Sequence, residues 1–197
     1  MIQERTFIAI KAEAIQRHLI GEVISRFERR GLKLVGMKMI VATKDIVGKH
    51  YPDSDDWYIP TGTKAWEGYK KRGVEIKETP KELGVKIREQ LMDYFVDRPL
   101  ITMVWEGPHA VQLGRKTVGV TNPLEAAPGT IRGDFSVDSY ELADGLGRVV
   151  QTLVHASGST EEAEDEIKLW FKPEELIDYD MITGRLVTGK DWGKVKK

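Results

Sequence analysis

The stretch Gly114-Arg115-Lys116-Thr117-Val118-Gly119-Val120-Thr121-Asn122-Pro123-Leu124-Glu125-Ala126-Ala127-Pro128-Gly129-Thr130-Ile131-Arg132-Gly133-Asp134-Phe135 decides how this chain is read. Its glycines and prolines set turns and let backbone come close to a ligand. Arg115, Arg132, Thr121 and Asn122 sit among them. A guanidinium donates hydrogen bonds in pairs, a geometry that matches phosphate oxygens. Taken alone, the stretch is either an anion-binding loop or a surface loop with two solvated arginines, and composition does not choose between them.

On its N-terminal side the chain reads as alternating strands and helices. Thr6-Phe7-Ile8-Ala9-Ile10 predicts a buried strand. Lys11 closes it, as a solvated strand end or as a cation for phosphate or sugar. Ile15, Leu19, Ile20, Val23, Ile24 and Phe27 share one face of a single amphipathic helix ending at Gly31, with His18 on its surface side. Residues 32–41 predict a strand with no polar face, hence a central one. Residues 43–51 predict a short helix capped by Thr43. Tyr51 on its own is a half-buried packing residue. Residues 81–96 predict another amphipathic helix and 100–105 another strand. A short helix to about residue 113 then feeds the opening loop.

Residues 52–80 carry Trp57, Tyr58, Trp66 and Tyr69, too many aromatics for a disordered linker. Asp53, Asp55 and Asp56 lack the glycine and later glutamate of a calcium loop, so a solvated charge cluster is expected there. Beyond the loop, Asp144-Gly145 suggests a hairpin between residues 136–138 and 148–150. Residues 149–155 then predict a strand ending at His155. Thr160 is expected to cap a helix with acidic first turns and a core side of Ile167, Trp170 and Phe171. Lys194-Val195-Lys196-Lys197 is expected to fray.

The composition narrows the function classes. The 197 residues suffice for one sizeable core. With 41% hydrophobic and 31% charged residues, the chain falls among soluble globular proteins. A net charge of −1 gives no footprint for nucleic acid or an anionic membrane. The absence of cysteine removes disulfides and thiolate metal sites. No apolar run approaches a membrane span, and the N-terminus has no long apolar h-region. The expectation is a cytoplasmic enzyme or binding protein. No GxxxxGK[ST] loop occurs, and Gly145-x-Gly147 does not complete a dinucleotide fingerprint.

His155 stands out among candidate reactive groups. A histidine at the end of an apolar strand is structural or reactive. Here Ala156-Ser157-Gly158-Ser159 leave space around the ring, and Glu166 in the next helix can orient it.

The opening stretch closely resembles the nucleoside diphosphate kinase family. Other blocks agree, in order: Glu4-Arg5-Thr6-Phe7 with Lys11, Gln16-Arg17 with Leu19-Ile20-Gly21, His50-Tyr51, Met103-Val104-Trp105-Glu106-Gly107, Val154-His155 with Ser157, and Glu166-Ile167 with Leu169-Trp170-Phe171-Lys172-Pro173-Glu174-Glu175-Leu176. The resemblance covers residues 1–179 as one domain, with insertions at about 52–80 and 136–147 and a C-terminal extension over 180–197. It implies an α+β, ferredoxin-like βαββαβ sandwich, a four-stranded antiparallel sheet with helices on one face.

The resemblance also implies ping-pong transfer of the γ-phosphate of a nucleoside triphosphate to a nucleoside diphosphate through a phosphohistidine on His155. Glu166 and Tyr51 would assist, and Lys11, Arg115, Thr121 and Arg132 would hold the nucleotide and its phosphates. Mg²⁺ would be carried by the nucleotide, without a metal site on the protein. Relatives are homo-oligomers, usually hexamers built from dimers, and the loop over 121–135 helps pack their trimers, so a hexamer, tetramer or dimer is expected. Neither a membrane nor nucleic acid is an expected partner. Two positions depart from the family. Ala12-Glu13-Ala14 replaces Pro-Asp-Gly after the lysine. Thr152 stands where an asparagine precedes the histidine, unless Gly147-Arg148 is the displaced equivalent. The alternative is a catalytically weak nucleotide-binding or regulatory protein of the same fold.

Overall fold

The computed structural model describes residues 3–184, 186 and 189. Strand β1 (Gln3–Ile10) pairs antiparallel along its whole length with β3 (Pro99–Pro108), Ile10 opposite Ile101. Strand β2 (Lys33–Val41) lies on the far side of β3, and β4 (Val154–Ala156) lies on the far side of β1. The order β2-β3-β1-β4, antiparallel throughout, is the expected ferredoxin-like α+β sheet.

Side chains alternate across a strand. Ile8 and Ile10 therefore enter one core with Met103 and Trp105, while Phe7 and Ala9 enter the other with Val104. Helices cover both faces of the sheet and not the one face expected, and burial on both sides explains the unbroken apolar run in β1. Val23 and Phe27 of α2 (Ile20–Arg29) and Ala110 and Val118 of α6 (Ala110–Val118) fill the first core. Phe27 stacks on Trp105 at 5.4 Å. The second core takes Val47 of α3 (Lys44–His50), Phe95 of α5 (Pro80–Phe95), and Ile167 and Trp170 of α9 (Thr160–Trp170). Each such side chain contributes about 1.5–3 kcal/mol on burial.

Several local expectations are corrected. The helix read over 15–30 is two, α1 (Ala12–Gln16) and α2, separated by His18 at φ 57°. Ile15, Leu19, Ile20 and Ile24 still pack on the same core, so their spacing concealed the break. Strand β2 is an edge strand. Its lack of a polar face reflects exposed Met37, Met39 and Val41. The loop after β3 is shorter than expected, because α6 runs on through Val118 and makes Gly114–Val118 helical.

No hairpin forms at Asp144-Gly145. Ser139 accepts from the Leu142 amide at 3.1 Å and starts a helix, α8 (Tyr140–Gly145). The strand expected over 149–155 shrinks to β4. The cause is Asp138, which takes the Gln151 amide at 2.6 Å and pairs with Arg148, drawing ladder donors away. Ser159, not Thr160, caps α9. The frayed end expected at 194–197 lies outside the described residues.

The aromatic-rich segment forms helix α4 (Asp55–Lys71), packed backbone to backbone on α5. A Cβ on Gly62 would lie 1.6 Å from the Pro80 carbonyl oxygen, and one on Gly84 would lie 2.1 Å from that of Tyr58. Gly84→Ala should therefore cost more than the about 1–3 kcal/mol of ordinary overpacking. Gly68→Ala in the same helix pair meets nothing within 4 Å and should be neutral or slightly stabilising. Urea denaturation of both variants checks this, and equal effects would refute the close-contact reading.

Candidate active site

The site grows from the short pairing of β4 with β1. His155 sits opposite Ala9, so its ring emerges beside Phe7, on the side of the sheet that α3, α5 and α9 cover. Ser157 fixes this register. Its hydroxyl accepts from the Phe7 amide at 3.1 Å and donates to Glu166 Oε2 at 2.6 Å. The other carboxylate oxygen meets His155 Nε2 at 2.6 Å. Glu166 thus accepts at both oxygens, and the proton on this contact belongs to Nε2. That tautomer leaves Nδ1 with its lone pair, and no group among the described residues bonds it.

Burial pushes the His155 imidazole well below the usual histidine range, and Lys11 pushes it the same way. Burial pushes the Glu166 carboxyl up, against the opposing effects of His50 and the Ser157 hydrogen bond. The imidazole therefore stays neutral, and the hydrogen bonds from Nε2 and the Ser157 hydroxyl are what stabilise the Glu166 carboxylate against its burial. Only 18% of the His155 side chain is exposed. The ring is boxed by Phe7 at 5.8 Å and His50 at 4.9 Å.

His50 was quoted in the sequence only as the neighbour of Tyr51. It is 4% exposed, and its Nδ1 accepts from the Trp170 indole at 3.2 Å. An indole only donates, so Nδ1 is unprotonated. The lone cue in the sequence was its place one residue before Tyr51. The sequence marks Ser157 as a small residue beside the ring and Trp170 as a core residue, and neither reading contains the hydrogen bond that each makes here. Tyr51 packs edge-on against His50 at 4.6 Å, and burial raises its phenol far above the usual range.

Three cations converge on the same histidine. Lys11, buried at the end of β1, donates to Thr152 Oγ1 at 2.8 Å and faces the Tyr94 and Phe95 rings. Its ammonium is lowered to about 8, first by burial. Arg132 lies on α7 (Ile131–Phe135) and donates to three carbonyls: Thr152 at 3.1 Å, Gly119 at 2.7 Å and Val154 at 2.7 Å. Burial lowers it to about 10. Arg115 is exposed and reaches the Ala156 carbonyl at 3.4 Å. The fields of Lys11, Arg132 and Arg115 all depress the His155 imidazole. A cationic cluster around a neutral nucleophile suits an anionic substrate.

Lys11, Tyr51, Arg115, Arg132, His155 and Glu166 are thus brought together. Thr121 is exposed in the loop and makes no hydrogen bond to them. Thr152, left open in the sequence, lies inside the cluster. Arg148 is instead paired with Asp138 at 2.6 Å.

The sequence model described as nucleoside diphosphate kinase matches residues 4–58 and 81–176. The chain belongs to the nucleoside diphosphate kinase family. A nucleoside diphosphate kinase of Pyrobaculum aerophilum is 43% identical over 180 residues, covering 89% of this chain and 98% of that protein. Human nucleoside diphosphate kinase A is 40% identical over 176 residues, covering 89% and 91%. The crystal structure of an NDP kinase from Pyrobaculum aerophilum superposes with a TM-score of 0.84 at 42% identity, covering 89% of this chain and all of that one. A Borrelia burgdorferi nucleoside-diphosphate kinase, a transition-state mimic with bound vanadate and ADP, gives 0.76 at 31% identity, covering 94% and 97%.

The chain is thus an enzyme with the activity of nucleoside diphosphate kinases, phosphoryl transfer from a nucleoside triphosphate to a nucleoside diphosphate. Such phosphotransferases generally need a divalent cation. Among the described residues, no helix is long and apolar enough to cross a membrane.

The buried histidines make stability pH-dependent. His50 is lowered to about 3, chiefly by burial and then by His155. Unfolded histidine titrates near 6.5, so below that the unfolded chain binds more protons. The contribution of His50 is complete above about 6.5 and is lost as pH falls toward 3, by at most about 1.4 kcal/mol per pH unit. Glu166, raised by burial, opposes this slope, and without the lowering effect of His50 it opposes it more strongly, so both effects flatten the slope in the variant. His50→Gln should flatten the loss of urea stability between pH 6.5 and 4. An unchanged slope would refute the assignment.

Proposed function

We propose that His155 Nδ1 carries the phosphoryl group in a ping-pong reaction. Its lone pair attacks the γ-phosphorus of a nucleoside triphosphate, and an N–P bond forms. The bond from phosphorus to the β,γ-bridging oxygen breaks, and its electron pair leaves on the nucleoside diphosphate. A second diphosphate then attacks the phosphohistidine with a terminal β-phosphate oxygen, and the imidazole lone pair is restored. The single observation that carries this reading is Glu166 bound to Nε2 at 2.6 Å, which turns the nucleophilic nitrogen away from the proton.

Glu166 would stabilise positive charge that grows on the ring as the N–P bond forms. Lys11, Arg115 and the two N–H groups that Arg132 leaves unused would meet phosphate oxygens. Tyr51, kept protonated by burial, would be a neutral donor, and Thr121 would join once a nucleotide fills the loop.

We assign the divalent cation to Mg²⁺ carried on the phosphates. One potential ligand atom from each of His50, His155 and Glu166 lies within 4.8 Å of the others. The contacts among them are those of His50 Nδ1 and His155 Nε2 with Glu166 Oε1. The first accepts from Trp170 and the second holds a proton, and imidazole nitrogens do not suit a hard cation. Mg²⁺ on the nucleotide would neutralise phosphate charge without a ligand from this cluster.

In the test, the protein is incubated with γ-labelled ATP and Mg²⁺ without acceptor. Label should be retained on His155, acid-labile and alkali-stable, chased by GDP and absent from His155→Ala. Arg115→Ala should lose a charge-assisted contact worth about 1.5–3 kcal/mol, some 10- to 150-fold in turnover, and remain well above His155→Ala. An unlabelled wild type would remove the reading.

We further propose a single catalytic domain over residues 1–179, a C-terminal extension over 180–197, and a cytoplasmic homo-oligomer. The Ile177 amide donates to the Val35 carbonyl of edge strand β2, and beyond it, beside Met37, Met39 and Val41, exposed at 52–61%, β2 has no further partner strand among the described residues. Val120 and Leu124 add an apolar patch in the loop. Light scattering should give a hexamer, tetramer or dimer of the 22.3 kDa chain, and a monomer at micromolar concentration would contradict it.

A further inference from the structure

The two departures from the family pattern, Ala12-Glu13-Ala14 and the region of Thr152, meet in space. Leu153 has φ 63°, left-handed backbone that a leucine rarely adopts. It lies directly after Thr152 and two residues before His155, and both of its backbone polar groups are held from the segment 11–13. Its carbonyl accepts from the Lys11 amide at 2.9 Å. Its amide donates to Glu13 Oε1 at 2.8 Å. The Tyr94 hydroxyl donates to the same Glu13 oxygen. Glu13 Oε2 is buried and has no hydrogen-bond partner.

That geometry gives Glu13 two tasks. It holds an unfavourable turn just before β4, the strand that carries His155, and it leaves a carboxylate oxygen without a donor near Lys11. The groups that face Lys11 are Glu13 from α1, Tyr94 and Phe95 from α5, Arg132 from α7, Thr152 and His155 from the β4 segment, and His50 from α3. Glu13 is the anion among them. It acts on the ammonium against burial and Arg132, which lower it to about 8.

We propose that Glu13 is a positioning residue for phosphoryl transfer: its carboxylate pins the Thr152–Leu153 turn, and its charge keeps Lys11 protonated for the nucleotide. The proposal rests on the reading of His155 as the phosphorylated residue. Tyr94 supports it by orienting the carboxylate. Lys11 is then tied to His155 twice, through its own amide to Leu153 and through its ammonium to Thr152.

Three variants separate the tasks: Glu13→Gln, Glu13→Ala and Tyr94→Phe. In Glu13→Gln the amide oxygen can still accept from Leu153, so near-UV circular dichroism and Tm should stay close to wild type. The lost charge should move the alkaline limb of ADP affinity, set by Lys11, to lower pH. Glu13→Ala should show the same movement, together with at least a tenfold rise in nucleotide KM and slower single-turnover labelling of His155. Tyr94→Phe should give a smaller effect in the same direction. Isothermal titration with ADP needs no chemistry, so it reads Glu13 even if His155 fails to take label. An unlabelled wild type sinks the phosphohistidine reading. An ADP pH profile in Glu13→Gln that coincides with wild type overturns the role of Glu13. So does a Glu13→Ala protein that has lost stability while keeping wild-type KM, since that would make the contact structural only.

Discussion

The catalytic face depends on one buried carboxylate. Glu166 is 8% exposed, and moving a carboxylate to such a site costs several kcal/mol unless its lone pairs are filled. Two 2.6 Å hydrogen bonds fill them, from Ser157 and His155. Charge-assisted bonds of this kind are worth about 1.5–3 kcal/mol each, enough to offset much of that cost. Ser157 is in turn bonded to the Phe7 backbone on the adjoining strand. The charge therefore links α9, β1 and β4, and the direction in which the histidine lone pair points follows from the same bonds. Removing either partner would leave an uncompensated charge at a buried site.

A second constraint has the opposite sign. Lys11 and Arg132 are buried cations, and burial lowers both. They are held by neutral groups, Thr152 Oγ1 for the lysine and three carbonyls for the arginine. Carbonyl oxygens satisfy the N–H groups while leaving the net charge intact. A carboxylate in their place would have cancelled the attraction for phosphate. The hydrogen bonds to both cations thus come from neutral groups, and the one carboxylate that faces Lys11, that of Glu13, acts on it by charge.

Much of this was legible in the residues, for reasons that differ by element. The β1 run and the faces of α5 and α9 follow from periodicity, because each has a full core to fill. Thr43 could be read as a cap because its oxygen has one nearby donor, the Ile46 amide. The break at His18 was hidden because the apolar spacing continues across it. The edge position of β2 was hidden in its own residues because it carries exposed methionines and so reads as a central strand. Between Asp138 and Leu153, side-chain capping of backbone amides replaced the expected ladder, and an alternation rule has no way to register that. The roles of His50 and Ser157 depend on contacts between distant segments, the indole of Trp170 and the amide of Phe7, which spacing along the chain does not encode.

The break in the family match follows the same division between what is fixed and what can vary. The family match breaks at residues 59–80, within and after α4, while the residues around His155 lie inside matched stretches. Helix α4 is seated by backbone contact at Gly62 and Gly84 on the outer side of α5, whose inner residue Phe95 belongs to the core. The end of α4 then reaches α8: Tyr69 donates to Asp144 at 2.7 Å, and Arg72 pairs with the same carboxylate at 3.0 Å. Helix α4 is therefore anchored to α8 as well as to α5. Neither supplies a bond to Glu166, Ser157 or the His155 ring. Polar contacts such as Arg72 with Asp144 are partly exposed and contribute little stability, so the glycine-mediated helix packing carries the attachment. A chain can lengthen at these places because the carboxylate, histidine and strand register close on themselves, through bonds that span only β1, β4 and α9.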